Sequence, residues 1–298
     1  TRLIAKNRAA FHGISESKVD AVSFCLYPGQ SDLKAPFWEN PEDLSDRNYL
    51  PYIEQCSVNE DWLGWLRSDA FKKKAKLVYE YETFCNQSAY LYPAMAEFYR
   101  SVGAQIATQW TYGLSAYVKY LGGSHVFNLK TTPRKAASFM VAKQQFKDVP
   151  TTYSYESRSS AVLHEGHLIY SGWSDNNDWS LSVLGKEKKS PFSLTGVGNS
   201  PFVNYEGSGL YFIESSENGG LRLNILPDVE FLRPHWKEVH NGKLVVKLDS
   251  SNEHRFELTL PDFVDTYWIY RKEVWRWKFI KRVNGGICFD AQPGEYLI

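Results

Sequence analysis

The sequence lacks any excess of charge of one sign, since 34 basic side chains balance 34 acidic ones over 298 residues. A neutral balance gives no electrostatic reason to expect nucleic acid or an anionic membrane surface as a partner. The sequence also lacks a run of about 20 apolar residues, the length that a membrane-spanning helix needs. We therefore predict neither nucleic-acid binding nor membrane insertion.

Motifs for metal and nucleotide chemistry are also missing. The four cysteines show no CxxC spacing, and the seven histidines form no HExxH pattern. No GxGxxG or P-loop pattern occurs either, so a bound nucleotide is not indicated. We accordingly predict no metal ion and no organic cofactor.

Aromatic residues are abundant, with 10 Trp, 19 Tyr and 17 Phe making up 15% of the chain. Large aromatic cores account for most of them, and others could form flat platforms on which sugar rings stack. Near the end of the chain, Trp268, Trp275 and Trp277 alternate with cationic residues. Strand packing beneath extended cationic side chains explains this cluster without a ligand.

Residues 1–149 alternate between helical and strand patterns joined mostly by short connections, which is typical of parallel βα units. Three such units are too few to close a barrel, and they suit the last three units of a (βα)8 TIM-type barrel. The predicted strands cover residues 21–27, 75–79 and 104–110, and the predicted helices cover 3–13, 59–66, 94–103 and 133–146.

From about residue 150 the helical periodicity stops, and short alternating runs are separated by Gly- and Asn-rich turns. Examples are the runs at 221–225 and 256–260 and the final run at 294–298. Many short strands with such turns are typical of an antiparallel β-sandwich. The predicted fold class is therefore α/β plus all-β, with part of a barrel over residues 1–149 and a β-sandwich over residues 150–298.

The carboxyl ends of the three predicted parallel strands carry the candidate site, because active sites of (βα)8 barrels lie at that end. A carboxylate there would be surrounded by hydrogen-bonding groups and flat aromatic rings. The candidates are Tyr27 after the first strand, Glu80 and Glu82 at the second, Gln109 and Trp110 at the third, and Asn86, Gln87, Tyr90 and Tyr92 in the loop between.

The alternation of side chains along a strand predicts that Glu80 and Glu82 point the same way, towards either solvent or a substrate. For Glu80 the alternative to catalysis is an ion pair with a neighbouring Lys or Arg. Glu82 lies nearer the strand mouth, so it could bind a sugar hydroxyl or lie in solvent. By the same alternation, Gln109 could face the helix layer instead of the site.

A Tyr, a Glu and a Trp at three successive strand ends resemble strands six, seven and eight of retaining glycoside hydrolases of the large (βα)8 clan. The resemblance implies that Glu80 is the nucleophile, that Tyr27 hydrogen-bonds to it and that Trp110 forms the floor of the subsite. The final β-rich half, ending in PGEYLI, resembles the accessory domain of many of these enzymes. Within the clan, VYEYET resembles bacterial polysaccharide-degrading proteins.

The resemblance implies retaining hydrolysis of a polysaccharide or oligosaccharide by a secreted or periplasmic enzyme. Such hydrolysis needs two carboxyl groups about 5–5.5 Å apart on opposite faces of the scissile bond. Glu80 and Glu82 would approach from one side, so they do not form that pair, although Glu82 stays a second candidate for the catalytic carboxylate.

In the clan the acid/base residue lies on strand four, which would precede Thr1. We therefore expect a missing N-terminal barrel segment, from the same gene or a second chain, to supply it, and the chain alone to be inactive. The alternative is a non-catalytic carbohydrate-binding or scaffold protein with a barrel-derived fold.

Overall fold

Among the described residues, helices and strands alternate along the first part of the chain (residues 8–147), and the elements of the second part (residues 159–298) are strands. The computed structural model describes residues 8–28, 47–59, 62–83, 88–120, 127–147, 159–163, 168–174, 179–184, 192–216, 220–233, 242–260, 263 and 265–298.

The first part contains a parallel sheet and the helices that flank its strands. Its three strands lie side by side in the order of the chain, and both pairings are parallel. A single 3₁₀ turn, Gly64–Arg67, lies between the second and third helices. The helices are α1 Arg8–Glu16, α2 Leu50–Val58, α3 Asp69–Lys72, α4 Leu91–Ser101, α5 Ser115–Val118 and α6 Pro133–Gln145, and the strands are β1 Ala21–Leu26, β2 Ala75–Tyr81 and β3 Ala104–Gln109.

One face of this sheet is covered by helices. Val22, Phe24 and Leu26 alternate along β1 and are buried. The ring of Phe24 lies 6.4 Å from that of Phe98 and 6.0 Å from that of Tyr99, both on α4. This alternation produces the βα packing that the sequence predicted, because every second side chain of a strand points to the same face.

The opposite face of the sheet is largely open. Ser23 on β1 and Ile106 on β3 are exposed, and Tyr79 on β2 is 62% exposed. Large apolar side chains on a sheet face usually meet a second layer. This face of the parallel sheet is therefore the part of its surface most suited to further packing.

The helix predictions before β2 were partly wrong. Gly13 lies inside α1 instead of ending it, and residues 1–7 fall outside the described part of the chain. Asn59 caps the end of α2 instead of opening a helix, and a 3₁₀ turn follows it. The sequence prediction missed α2, although Pro51 in its first turn is a recognised start signal.

The second part consists of antiparallel strands in three sheets. The strands are β4 Ser159–Leu163, β5 Leu168–Ser174, β6 Trp179–Leu184, β7 Ser193–Val197, β8 Val203–Tyr205, β9 Tyr211–Ser215, β10 Leu221–Ile225, β11 Asp228–Phe231, β12 Val246–Asp249, β13 His254–Leu258, β14 Thr266–Lys272, β15 Trp277–Asn284, β16 Ile287–Ala291 and β17 Gly294–Leu297. The largest sheet has nine strands in the order β15-β14-β17-β10-β9-β7-β6-β5-β4, and the smaller sheets have the orders β16-β13-β8 and β11-β12.

The nine-stranded and three-stranded sheets share one core. Tyr211 on β9 contacts Phe256 on β13 with a ring separation of 5.6 Å. Tyr296 on β17 contacts Phe289 on β16 at 5.0 Å. The strand predicted over Leu221–Ile225 has those bounds in the structure. The specific assignments to a partial barrel and a β-sandwich, and the boundary near residue 150, stay predictions.

The two parts are in direct contact. The ring of Tyr90 lies 5.9 Å from that of Trp173 on β5, and both are buried. The carbonyl of Lys119 accepts hydrogen bonds from the backbone N–H groups of Val245 at 2.8 Å and Val246 at 3.0 Å. Among the helices described, none combines the length and apolar character needed to cross a membrane.

Candidate active site

The carboxyl ends of the three parallel strands bring several candidate residues together. Cys25 on β1 pairs with Glu80 on β2, and Tyr27 follows Cys25 by two residues, just beyond the end of β1. Tyr81 pairs with Gln109, the last residue of β3. Since the strands are parallel and adjacent, residues that follow them share one edge of the sheet.

Tyr27 donates a hydrogen bond from its hydroxyl to Oε2 of Glu80, with an oxygen–oxygen distance of 2.5 Å. Burial raises the pKa of Tyr27, and the hydrogen bond to Glu80 and the negative charge of Glu80 raise it further. The phenol therefore stays protonated and acts as the donor at neutral pH. Short bonds of this kind to an ionised acceptor are among the strong hydrogen bonds of proteins.

The two glutamates do not share their surroundings. Strand β2 ends at Tyr81, so side-chain alternation does not extend to Glu82. The pairing of β1 with β2 also shifts register between Phe24 and Cys25, just before Glu80. Glu80 is partly exposed, whereas Glu82 is 0% exposed. The two glutamates therefore differ in exposure, and the expectation that both point the same way stays a prediction.

Glu82 is bound by donors from four directions. Its Oε1 accepts hydrogen bonds from the hydroxyl of Tyr92 at 2.5 Å and from the backbone N–H of Thr83 at 2.6 Å. Its Oε2 accepts one from Nε2 of Gln109 at 2.6 Å. Nζ of Lys135 on α6 lies 3.1 Å from Oε1 and also donates to the carbonyl of Thr83 at 2.9 Å.

Burial dominates the electrostatics of this group. It raises the pKa of Glu82, while the charge of Lys135 and the hydrogen bonds from Tyr92, Thr83 and Lys135 oppose the rise. Burial likewise raises the pKa of Tyr92, with the charge of Glu82 adding to the effect. Buried charges persist when they are paired and hydrogen-bonded, and each of these groups has such partners.

Trp110 follows β3 and is 44% exposed. Its backbone N–H donates to the carbonyl of Tyr81 at 2.9 Å, which fixes the chain against the end of β2. The peptide bond between Trp110 and Thr111 is cis. Because the Trp110 N–H bonds to Tyr81, the residue after Glu80, and the Trp110 side chain is exposed, the indole is an accessible ring at the same sheet edge as Glu80.

The structure places the other candidates differently from the predicted loop. Tyr92 lies in α4, and Tyr90 directly precedes that helix. Both are buried, and the hydroxyl of Tyr90 accepts a bond from the N–H of Tyr49 at 3.1 Å and donates to the carbonyl of Arg47 at 3.0 Å. Asn86 and Gln87 lie outside the described residues.

Gln109, the last residue of β3, is joined to both Glu82 and helix α4. Its amide contacts Glu82 and lies 3.5 Å from the hydroxyl of Tyr92 on a helix. Sequence reasoning missed Lys135, which is 53 residues from Glu82 along the chain. A lysine in the first turns of a helix gives no local signal of burial, so only the packing of α6 identifies this partner.

The side chains of the described residues do not indicate a metal site. In the described ranges, no group of three or more His, Cys, Asp or Glu residues has an arrangement that could hold a metal ion. Cys25 and Cys288 have free thiols. Burial and the charge of Glu80 raise the pKa of Cys25, opposed by a hydrogen bond from the backbone of Glu80.

Comparison with known proteins gives little. No protein-family model matches the chain, and no curated protein matches it. One solved structure that it resembles is CelM2, a bifunctional glucanase-xylanase protein from a metagenome library, with a TM-score of 0.26 and 11% sequence identity. The match covers 97% of this chain and 45% of CelM2, so the chain spans less than half of that protein. At this TM-score the likeness carries no argument.

Proposed function

We propose that the chain is the nucleophile-bearing part of a retaining glycoside hydrolase that acts on a polysaccharide or oligosaccharide. The observation that carries the proposal is the 2.5 Å bond from the Tyr27 hydroxyl to Glu80 at a strand end. Glu80 is partly exposed, and Tyr27 binds its Oε2 atom and not its Oε1 atom. A nucleophilic carboxylate must be held in place and keep one oxygen for attack. Tyr27 holds Glu80 through Oε2, and Oε1 is left for attack.

In the proposed reaction, an Oε atom of Glu80 attacks the anomeric carbon and the bond to the leaving oxygen breaks. The leaving oxygen takes a proton from the acid/base group, and the same group then activates water to release the sugar from Glu80. Tyr27 holds the carboxylate in place throughout. The exposed ring of Trp110 offers an apolar face against which the sugar can rest.

We assign Glu82 a positioning role, because a carboxylate with no exposed surface cannot reach a sugar. Its bonds to Gln109 and Lys135 join the end of β3 and helix α6 to the residue that follows β2. Glu82 thereby fixes the backbone two residues beyond Glu80. Tyr92 supports this arrangement from α4 in the same way.

The acid/base residue is proposed to come from a further barrel segment. The open face of the parallel sheet, with Tyr79 and Ile106 exposed, is the surface on which that segment would pack. Packing there would bury apolar area and place strands beside β1 or β3. It would also set a second carboxyl group opposite Glu80, at the separation that retention requires.

The sharpest test is to label the nucleophile covalently. Fluoroglycosides with a dinitrophenolate leaving group need no acid catalyst for departure, so the chain can be tested without its proposed partner segment. We expect intact-mass analysis to show one added glycosyl group for at least one sugar of a panel, and peptide mapping to place it on Glu80. Glu80→Gln should abolish labelling and, in the complete enzyme, lower turnover by at least about 1,000-fold.

Tyr27→Phe is the matched control, since it keeps the ring and removes only the bond to Glu80. It should slow labelling without moving the label. Label on Glu82, or undiminished turnover in Glu80→Gln, would contradict the assignment. A chain that binds polysaccharide with equal affinity in wild-type and Glu80→Gln forms, and is never labelled, would support the non-catalytic binding alternative.

A further inference from the structure

The aromatic cluster near the end of the chain is largely exposed. Trp275 is 95% exposed, Trp268 is 51% exposed and Trp277 is 37% exposed. Strands β14 and β15 form a hairpin, and β15 lies at the end of the nine-stranded order. Strand packing beneath extended cationic side chains stays a prediction for Trp268 and Trp277, whereas Trp275, at the turn between the two strands, is too exposed to be explained by it.

Three cross-strand pairs form a row on the outer face of this hairpin. Tyr267 and Ile269 point into the core, so the residues between and after them point outward. A register shift between Ile269 and Tyr270 keeps the outward residues of β15 in step with those of β14. The outward pairs, which we call the hairpin surface, are Trp268 with Arg282, Tyr270 with Phe279, and Lys272 with Trp277.

The pairs on the hairpin surface are in contact. The guanidinium of Arg282 lies 5.6 Å from the ring centre of Trp268, and Nζ of Lys272 lies 5.9 Å from that of Trp277. Between them, the rings of Tyr270 and Phe279 are 5.7 Å apart. Alternate residues of a strand are about 7 Å apart, so the row extends about 14 Å along the strand.

The hairpin is basic in a chain that is neutral overall. Within residues 266–284 there is one carboxylate, Glu273, which pairs with Arg276 at 3.1 Å and Lys278 at 3.6 Å. Lys272 pairs with Glu295 of β17 at 2.6 Å. Six cationic residues occupy the same range: Arg271, Lys272, Arg276, Lys278, Lys281 and Arg282.

A cavity of about 670 Å³ lies beside the turn that joins the two strands. Arg271, Arg276 and Lys278 line it together with Trp275 and Ile280. Lys272 and Glu273 also line it, so the lining combines cations, one carboxylate and apolar side chains. Lys272 belongs to both the row and the lining of the cavity, so the cavity adjoins one end of the row.

We propose that the hairpin surface binds an acidic polysaccharide, outside the strand-end site that contains Glu80. Exposed rings in a row suit the apolar faces of successive sugar units, and the interleaved cations suit carboxylate or sulfate groups on the same polymer. The choice of a polysaccharide among anionic polymers rests on the proposed function. Binding at this surface does not depend on the chemistry of Glu80.

The test measures binding of the full chain to polygalacturonate and to a neutral β-glucan by calorimetry at low and high salt. We expect measurable affinity for polygalacturonate, weakened by salt, and at least about tenfold weaker affinity for the glucan. Trp268→Ala combined with Trp277→Ala should weaken polygalacturonate binding at least about tenfold. Arg282→Gln with Lys272→Gln should weaken it and reduce its salt dependence.

The matched controls are Tyr117→Ala, an exposed ring on α5, and Lys143→Gln, an exposed cation on α6. Neither should change binding, and Glu80→Gln should also bind normally, which separates this inference from the proposed catalytic role. Thermal unfolding of each variant checks that it is folded.

Several outcomes would overturn the proposal. They are equal affinity for the neutral glucan, no affinity for either polymer, binding that survives loss of both tryptophans, and selective binding to phosphatidylserine vesicles without polysaccharide binding. A dimer that dissociates in the tryptophan variants would instead identify the hairpin surface as a contact between two copies of the chain.

Discussion

The α/β part of the chain buries charge, whereas the β part exposes aromatic rings. In the first part, Glu82 and Lys135 form an ion pair with almost no surface in contact with solvent. In the second, Trp275 is nearly fully exposed at the turn between β14 and β15. Both arrangements invert the usual distribution, in which charges lie outside and large aromatic side chains lie mostly inside.

The comparison teaches that the two parts depart from the usual distribution for different reasons. The buried ion pair has bonds to two strand ends and a helix, so it organises the region around Glu80. The exposed rings contribute little to the core that lies behind them, where Tyr267 and Ile269 are buried. In the proposed function the first departure serves the geometry of the site, and in the proposed binding the second leaves a surface open to a ligand.

The largest effect on folding is expected from separating the ion pair. Glu82→Gln or Lys135→Met alone should lower the free energy of unfolding by about 3–5 kcal/mol, because each leaves a buried group without its partner charge. The double variant should lose less than the sum of the two, since no unpaired charge remains. Urea unfolding of all four proteins measures this coupling.

Losses that simply add would show that Glu82 and Lys135 act independently, contrary to the arrangement described. The neighbouring Lys143, exposed on the same helix, gives the matched control, and Lys143→Met should change stability by less than about 0.5 kcal/mol.

A smaller effect is expected at Asp228, the nearly buried carboxylate of the β part. Burial alone would raise its pKa, but bonds from His254 at 2.7 Å, Asn252 at 3.0 Å and the Ser208 N–H at 2.8 Å lower the pKa overall. A lowered pKa stabilises the fold above the unfolded value of about 3.9, and this contribution is lost as the pH falls.

Asp228→Asn should therefore lower the free energy of unfolding by about 1–2 kcal/mol at pH 6 and by much less near pH 3. Glu82 has the opposite sign, because its pKa is raised and its ionisation costs folding free energy as the pH rises above about 4.3. Unfolding curves across this pH range measure both, and a pH-independent loss in Asp228→Asn would contradict the electrostatic explanation.

The smallest effect on stability is expected at the turn of the hairpin. Trp275→Ser should change the free energy of unfolding by less than about 0.5 kcal/mol, because the ring loses almost no buried area. The same urea experiment measures it. A loss above about 1 kcal/mol would show that the ring packs against the chain, and the contrast between the two parts would fail.

Local pattern predicted much of the secondary structure. The alternation of Val22, Phe24 and Leu26 identified β1, and Gly103 marked the end of α4 with a positive φ of 82°. Tyr27 and Glu80 were placed at adjacent strand ends because parallel strands share an edge. The helix α2 was missed, since its nine residues carry only a weak apolar periodicity.

The candidate site was predictable only where strand geometry governs it. The contact between Tyr27 and Glu80 joins residues 53 positions apart, yet parallel pairing of β1 and β2 brings them together. The burial of Glu82 was not predictable, because β2 ends one residue earlier and alternation no longer applies. Tyr92 was assigned to a loop because the start of α4 was placed three residues too late.

The sequence by itself determined the order of elements, the strand ends that carry Tyr27, Glu80 and Trp110, and the change from α/β to β near the middle of the chain. These follow from local periodicity, which depends on neighbouring residues alone. Only the tertiary structure decided that Glu82 is buried against Lys135 and that Trp275 is exposed. Burial depends on which distant element covers a side chain, and α6 covers Glu82, whereas Trp275 lies at the turn beside the edge strand β15, where solvent reaches it.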